Sequence, residues 1–206
     1  MNSQNTARHD GKPSSTVLQT SGHLFIISAP SGAGKTTLRR AALNHFPDLV
    51  FSVSYTTRKP RAGEHVGVDY CFINKHEFEK GIAEDRWAEW ATVHGNYYGT
   101  SAEFLNHNLA GGKDVLLEID VQGTRKLLRR YPQSITIFII PPSLEVLRKR
   151  LESRGTEGAR AIALRLANAE KEMAQKNLYR YVVINDQLDH AVAELVAILE
   201  KHRTTA

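Results

Sequence analysis

Cysteine is nearly missing from this sequence: Cys71 stands alone among 206 residues, so an internal disulfide is excluded. Long apolar runs are missing too. None approaches the roughly 20 residues that span a bilayer, and the first 21 residues lack the continuous apolar segment of a secretory signal. Those residues are expected to form a disordered polar tail, 1–21, on a soluble, cytoplasmic protein with no membrane partner. The nine histidines are scattered without the paired spacing of a zinc site. A net charge of +5 suits an anionic partner. Yet the basic residues form no continuous tract, and no zinc-finger or RNA-recognition signature accompanies them. Small phosphorylated substrates explain the charge at least as well as nucleic acid. Hydrophobic residues at 41% and charged residues at 24% exclude wholesale disorder and fibrous repeats. The length fits one domain, or a core with a small inserted lobe.

What the sequence does hold is Leu24-Phe25-Ile26-Ile27-Ser28 running through Ala29-Pro30-Ser31-Gly32-Ala33-Gly34 into Lys35-Thr36-Thr37-Leu38. An apolar strand, a glycine-containing turn and a helix start in that order make a phosphate-binding loop. The loop from Ala29 and Pro30 to Thr37 wraps phosphate, the backbone N–H groups other than at Pro30 converging on its oxygens, Lys35 adds a charge, and the Thr36 hydroxyl reaches a magnesium ion. Ala29 stands where the usual pattern begins with Gly. The alternative, glycines that merely turn the chain, leaves the Lys-Thr pair at the helix mouth unexplained.

Along the chain, apolar spacing predicts a helix through Leu38 and Phe46, then a strand from Leu49 to Ser54. A basic loop with Pro and Gly follows, then an aromatic strand at Tyr70–Ile73 and a helix over 75–84. Trp87–Val93 reads as a strand, Gly95-Asn96 as a turn, and Thr100-x-x-Glu103 as a capping box for a helix to about Ala110. Val115–Asp120 is an apolar strand ending in Glu118 and Asp120, two apart and so expected on one side. A helix over 121–131, a strand over 135–140, and a helix capped by Ser143 and stopped by Gly155 come next. A mobile connection at 156–158, a long helix through Ile162 and Met173, a strand at 181–185 and a helix at 191–201 complete the pattern. Alternating strands and helices predict an α/β fold: a three-layer parallel-sheet core of the phosphate-loop type, with an inserted mixed lobe.

Chemistry follows from that layout. An acidic residue near the end of a core strand helps position magnesium, directly or through water, and Asp120 is the first choice over a mere surface carboxylate. Phosphoryl transfer needs charge neutralisation, and Arg150 and Arg154 share one helix face while Arg165 lies beyond the expected hinge. A segment carrying them would close over a triphosphate and exclude water; a solvated basic face is the bland alternative. Ser54, Arg58, Arg61 and Tyr70 surround a donor-rich turn suited to a second phosphate, or else belong to an ordinary surface loop.

Several blocks together resemble guanylate kinases: Ala-Pro-Ser-Gly-Ala-Gly-Lys-Thr at 29–36, Ser-Val-Ser-Tyr-Thr-Thr-Arg-Lys-Pro-Arg-Ala-Gly-Glu at 52–64, Gly-Asn-Tyr-Tyr-Gly-Thr at 95–100 and Leu-Glu-Ile-Asp-Val-Gln-Gly at 117–123. Lys-Arg-Leu-Glu-Ser-Arg-Gly at 149–155 and Val-Ile-Asn-Asp at 183–186 extend the likeness, which covers about 23–203. The resemblance implies ATP + GMP ⇌ ADP + GDP with Mg2+. It implies a core (about 22–53, 111–148 and 172–206), a GMP-binding lobe (about 54–110) and a helical lid (about 149–171), with Lys35, Arg58, Arg150, Arg154 and Arg165 as the catalytic set. Arg58, Arg61, Tyr70 and Tyr98 would hold the GMP phosphate, Ser54, Glu89 and Thr100 the guanine, with Glu118 and Asp120 also at the GMP and Thr36 and Asp120 at the metal. The guanine assignment is chemically sensible, because one carboxylate can accept from both N1–H and the N2 amino group, which adenine does not offer. Glu118 and Thr100 stand where the family often has Asp and Ser. A homo-oligomer is left open. The rivals to the kinase reading are a non-catalytic binding module of the same fold, which would lack the Gly-Lys-Thr loop or the lid arginines, a kinase for another monophosphate, and a nucleic-acid-binding protein.

Overall fold

In the computed structural model, residues 22–93, 95–153 and 158–203 are described. The expected tail, Arg154, Gly155 and most of the connection at 156–158 lie outside them. Five parallel strands built on apolar runs lie in the order β2 (Val50–Ser52), β7 (Val115–Glu118), β1 (Leu24–Ser28), β8 (Ile135–Ile140) and β9 (Tyr181–Ile184). β1 is central and wholly buried, and its alternation explains why it tolerates no polar residue before Ser28. Phe25 and Ile27 face α1 (Lys35–His45) and α7 (Leu188–His202), where Leu38, Ala42, Leu195 and Leu199 pack. Leu24 and Ile26 face the opposite layer, where α3 (Ala102–Ala110) contributes Leu105 and Leu109 and α4 (Val121–Arg130) contributes Leu127. Burying each such side chain contributes about 1.5–3 kcal/mol. Three layers result, as the alternation of elements predicts.

A second, mixed sheet orders β4 (Cys71–Phe72), β3 (Tyr55–Thr56), β6 (Asn96–Ser101) and β5 (Trp87–Val93). Phe78 of α2 (Lys75–Ala83) fills its face, stacked between Trp87 and Tyr97 at centroid distances of 4.5 and 5.1 Å. The remaining helices, α5 (Leu144–Glu152) and α6 (Ala159–Met173), share a separate apolar cluster of Leu147, Leu151, Ile162, Leu166 and Ala169. Among the described residues no helix is long and apolar enough to cross a membrane.

Three expectations need correction. The strand expected at 49–54 is shorter, Val50 to Ser52 pairing with β7, and directly after the expected end Tyr55 and Thr56 form a separate strand of the other sheet, paired with β4 and β6. Thr100 does not cap a helix; it lies in β6 opposite Glu89, and Ser101 caps α3 by accepting from the Phe104 N–H at 3.1 Å. Asp120 is not in a strand either. β7 stops at Glu118, and Asp120 is the N-cap of α4, its Oδ1 accepting from Gly123 N–H at 2.7 Å. Short polar side chains compete with backbone ladders for exactly such donors at helix starts.

Candidate active site

The C-terminal ends of the parallel strands gather the functional side chains on one edge, where open parallel sheets place their ligands. After β1 the chain turns through Gly32 and Gly34, both at φ 94°, a conformation that strains any residue with a Cβ. α1 then begins at Lys35 with no side-chain cap, so its first-turn amides are set for an external anion. The loop is braced from behind. Asn185, just past β9, donates Nδ2–H to the Ala33 carbonyl at 2.7 Å, and a Cβ on Gly34 would lie 2.3 Å from that nitrogen. Gly32 rests over Leu147 and Leu151 of α5 in the same close manner.

Beside the loop, Glu118 ends β7 in register with Ile27. Its Oε1 lies 3.5 Å from Lys35 Nζ and its Oε2 3.4 Å from Arg39 Nη1. Arg39 is buried, one helical turn after Lys35, and its guanidinium stacks on Phe51 at 4.4 Å. Beneath them Ser28 Oγ donates to the Ile119 carbonyl at 2.7 Å and meets Thr124 Oγ1 at 3.0 Å, which also receives Tyr179 Oη at 3.3 Å. This buried hydroxyl cluster ties the strand ends to α4.

Thr36, Arg39, Ser54, Glu64, Tyr70 and Glu118 line a cleft between the loop and the mixed sheet. Arg58 is held there by a forked pair, Nη2 to Glu64 Oε1 at 2.8 Å and Nη1 to Oε2 at 3.0 Å, while Nε donates to Tyr98 Oη at 3.2 Å. The same hydrogen bonds hold the Glu64 carboxyl below its ordinary range and the guanidinium above its own. Tyr70 lies 5.8 Å from Tyr98 and 5.2 Å from the Arg58 guanidinium, and burial pushes its phenol up. Arg61 contributes its backbone N–H to Glu64 Oε2 at 2.8 Å, with its side chain exposed.

Further along the mixed sheet, Glu89 is 6% exposed and Thr100 is fully buried. The Thr100 hydroxyl donates to Glu89 Oε1 at 2.7 Å. Burial pushes the Glu89 carboxyl up to about 7; the nearby Asp120 charge adds to the rise, and the Thr100 hydrogen bond opposes it. Gly123 is packed so tightly that a Cβ there would meet Glu89 Oε2 at 2.9 Å.

On the far side of the loop a second cleft is lined by Gly32, Gly34, Thr37, Arg150, Asn185 and Asp186. Arg150 Nη2 donates to the carbonyls of Asn185 at 2.8 Å and Asp186 at 3.4 Å. Arg165 is half-buried on α6. Glu172, further along the same helix, carries a carboxyl raised by burial, with the Lys35 charge opposing the rise and that of Asp120 adding to it. Thus Thr36 lines one cleft together with Tyr70 and Glu64, which with Tyr98 hold Arg58, while Gly34, Thr37 and Arg150 line the other, and Lys35 falls between Gly34 and Thr36 in the chain. Sequence reasoning passes over Arg39, Glu64 and Asn185. Only the four-residue spacing of Arg39 from Lys35 hinted at one of them.

A model of the guanylate kinase family matches residues 21–202. A guanylate kinase of Geobacter sulfurreducens is 49% identical over 189 residues, covering 91% of this chain and 93% of that protein. A guanylate kinase of Nitrosospira multiformis is 46% identical, covering 89% of this chain and 88% of its own. The crystal structure of guanylate kinase from Anaplasma phagocytophilum superposes with a TM-score of 0.74 at 31% identity, over 91% of this chain and 89% of that one. On the match over 21–202 and these identities, the chain belongs to the guanylate kinase family.

Proposed function

We propose that this chain transfers the γ-phosphoryl group of ATP to GMP, giving ADP and GDP. The observation that carries the reading is the pair of clefts that meet the phosphate loop, one lined by Gly32, Gly34, Thr37 and Arg150, the other by Thr36, Ser54, Tyr70 and Glu64, the partner of Arg58. In this reading residues about 54–110 form the GMP lobe, 149–171 the lid, and the remainder the core. The amides of Ala29 to Thr37 with Lys35 hold the ATP phosphates. Arg58, Arg61, Tyr70 and Tyr98 hold the GMP phosphate, and Ser54, Glu89 and Thr100 read the base. Glu89 accepts from guanine N1–H and N2 as a carboxylate, so its ionisation is part of recognition. Arg150, Arg154 and Arg165 neutralise charge on the transferred group as the lid closes, and closure keeps water from competing as acceptor.

The donor set fits a magnesium ion carried by the nucleotide rather than caged by protein. Among the described residues no three His, Cys, Asp or Glu side chains gather around a common point. Thr36 would hold the ion directly and Asp120 through water, since Oδ1 of Asp120 already caps α4. When bound it would neutralise phosphate charge and orient the γ-phosphoryl group. A cytoplasmic location, with access to free nucleotides, completes the proposal.

A coupled assay with ATP and each of GMP, AMP, UMP and dTMP tests it. Formation of GDP with strong preference for GMP is expected, whereas folded protein that forms no GDP would sink the reading.

A further inference from the structure

Glu118 is shared between two cations and held closely by neither. Charge-assisted N–H to O bonds run at about 2.7–2.9 Å, whereas Lys35 and Arg39 stand 3.5 and 3.4 Å away, each at a different carboxylate oxygen. Glu118 Oε2 and Arg39 Nε are buried and have no hydrogen-bond partner among the described residues. The two cations differ in freedom. Arg39 is fixed by the Phe51 ring and its side chain is 10% exposed, while Lys35 is 24% exposed at the loop mouth.

That asymmetry matters once Lys35 has another anion to serve. A largely buried carboxylate that loses its only cation is strongly disfavoured. Without Arg39, the attraction of Glu118 for Lys35 would therefore compete with the attraction of the nucleotide. With Arg39 in place, the carboxylate keeps a partner when the lysine turns away. We propose that Arg39 is a positioning residue for phosphoryl transfer: it retains Glu118 as its counter-ion when Lys35 leaves that carboxylate for the phosphates of ATP. The role rests on the assignment of Lys35 to the donor phosphates given above.

The test is calorimetric titration of the full chain with ATP and magnesium, in the absence of GMP. Arg39→Leu keeps the helix and the burial but removes the cation, and should weaken ATP binding about tenfold or more. Arg39→Lys, with the charge kept, should stay within about threefold of the unsubstituted chain. The decisive readout is the double variant. Adding Glu118→Gln to Arg39→Leu removes the competing charge, so its ATP affinity should return to that of Glu118→Gln alone. A merely structural Arg39 predicts the same loss in both backgrounds, and that result, or wild-type affinity in Arg39→Leu, overturns the inference. Thermal melting accompanies each variant, and if Arg39→Leu does not fold, Arg39→Gln takes its place in both backgrounds under the same criteria. If Lys35→Ala binds ATP as tightly as the unsubstituted chain, the underlying reading of Lys35 fails instead.

Discussion

Arg58 and Glu64 face one another through two parallel hydrogen bonds of 2.8 and 3.0 Å, and the same carboxylate also takes the backbone N–H of Arg61 at 2.8 Å. Glu64 therefore sets the plane of the Arg58 guanidinium and closes the loop that carries Arg58 and Arg61, the two arginines proposed to hold the GMP phosphate. Lys59 O and Tyr98 Oη take two more of its donors, leaving one Nη2–H without a partner among these bonds.

From this it follows that Glu64→Gln, which replaces one acceptor oxygen by a donor, should misalign Arg58. An increase of about tenfold in KM for GMP is expected, with KM for ATP little changed. Steady-state kinetics with each nucleotide varied checks it; an unchanged KM for GMP would show that the fork has no part in substrate binding.

In the proposed acceptor site, Glu89 is the group expected to make GMP binding depend on pH. Its folded-state value of about 7 is above the ordinary carboxylate value of 4.5, so the folded protein binds the extra proton between those limits. Two consequences have definite signs. The neutral form's contribution to stability is full below about pH 4.5 and is lost as pH rises through about 7. GMP affinity should rise over the upper part of that window, because guanine needs the carboxylate. The GMP phosphate also titrates near pH 6, so the measurement is the difference between the unsubstituted chain and Glu89→Gln. GMP titration in buffers of different ionisation enthalpy should reveal proton release near pH 7 that the variant lacks.

Gly34→Ala places a Cβ at φ 94° and 2.3 Å from Asn185 Nδ2. The bond from Asn185 to the Ala33 carbonyl must then break or the loop must shift. ATP affinity should fall by about tenfold or more while GMP binding persists. Equal titrations of ATP in the variant and the unsubstituted chain would show that the brace does not set the loop.

The helix cap offers a stability test. Ser101→Ala removes the acceptor for Phe104 N–H and should cost about 1 kcal/mol in urea unfolding. Thr100→Ala removes no cap, and should act instead on Glu89, through the 2.7 Å hydroxyl bond it loses. An unchanged unfolding free energy in Ser101→Ala would overturn the cap assignment.

The frame of this protein is legible in short stretches of the chain. The short apolar runs of β1, β7 and β8, bounded by turn residues, read as strands buried on both faces, and Gly-Lys-Thr after such a strand has few chemical uses other than phosphate. Those are local signals, carried by neighbours in the chain. Which groups share whose charge emerges only when distant elements pack together. Thr100 looks like a cap by spacing, yet pairing with β5 turns its hydroxyl onto Glu89. Asp120 looks like the end of a strand, yet helix α4 claims one of its oxygens. Asn185 and Ala33 are 152 residues apart and meet because β9 and β1 end on the same edge. Arg39 reads as one more basic residue on a helix until β7 sets Glu118 against it. Side-chain pairing across distant elements depends on register and burial, which no single stretch encodes, and in this chain the phosphate loop is held, aimed and neutralised by residues of that kind.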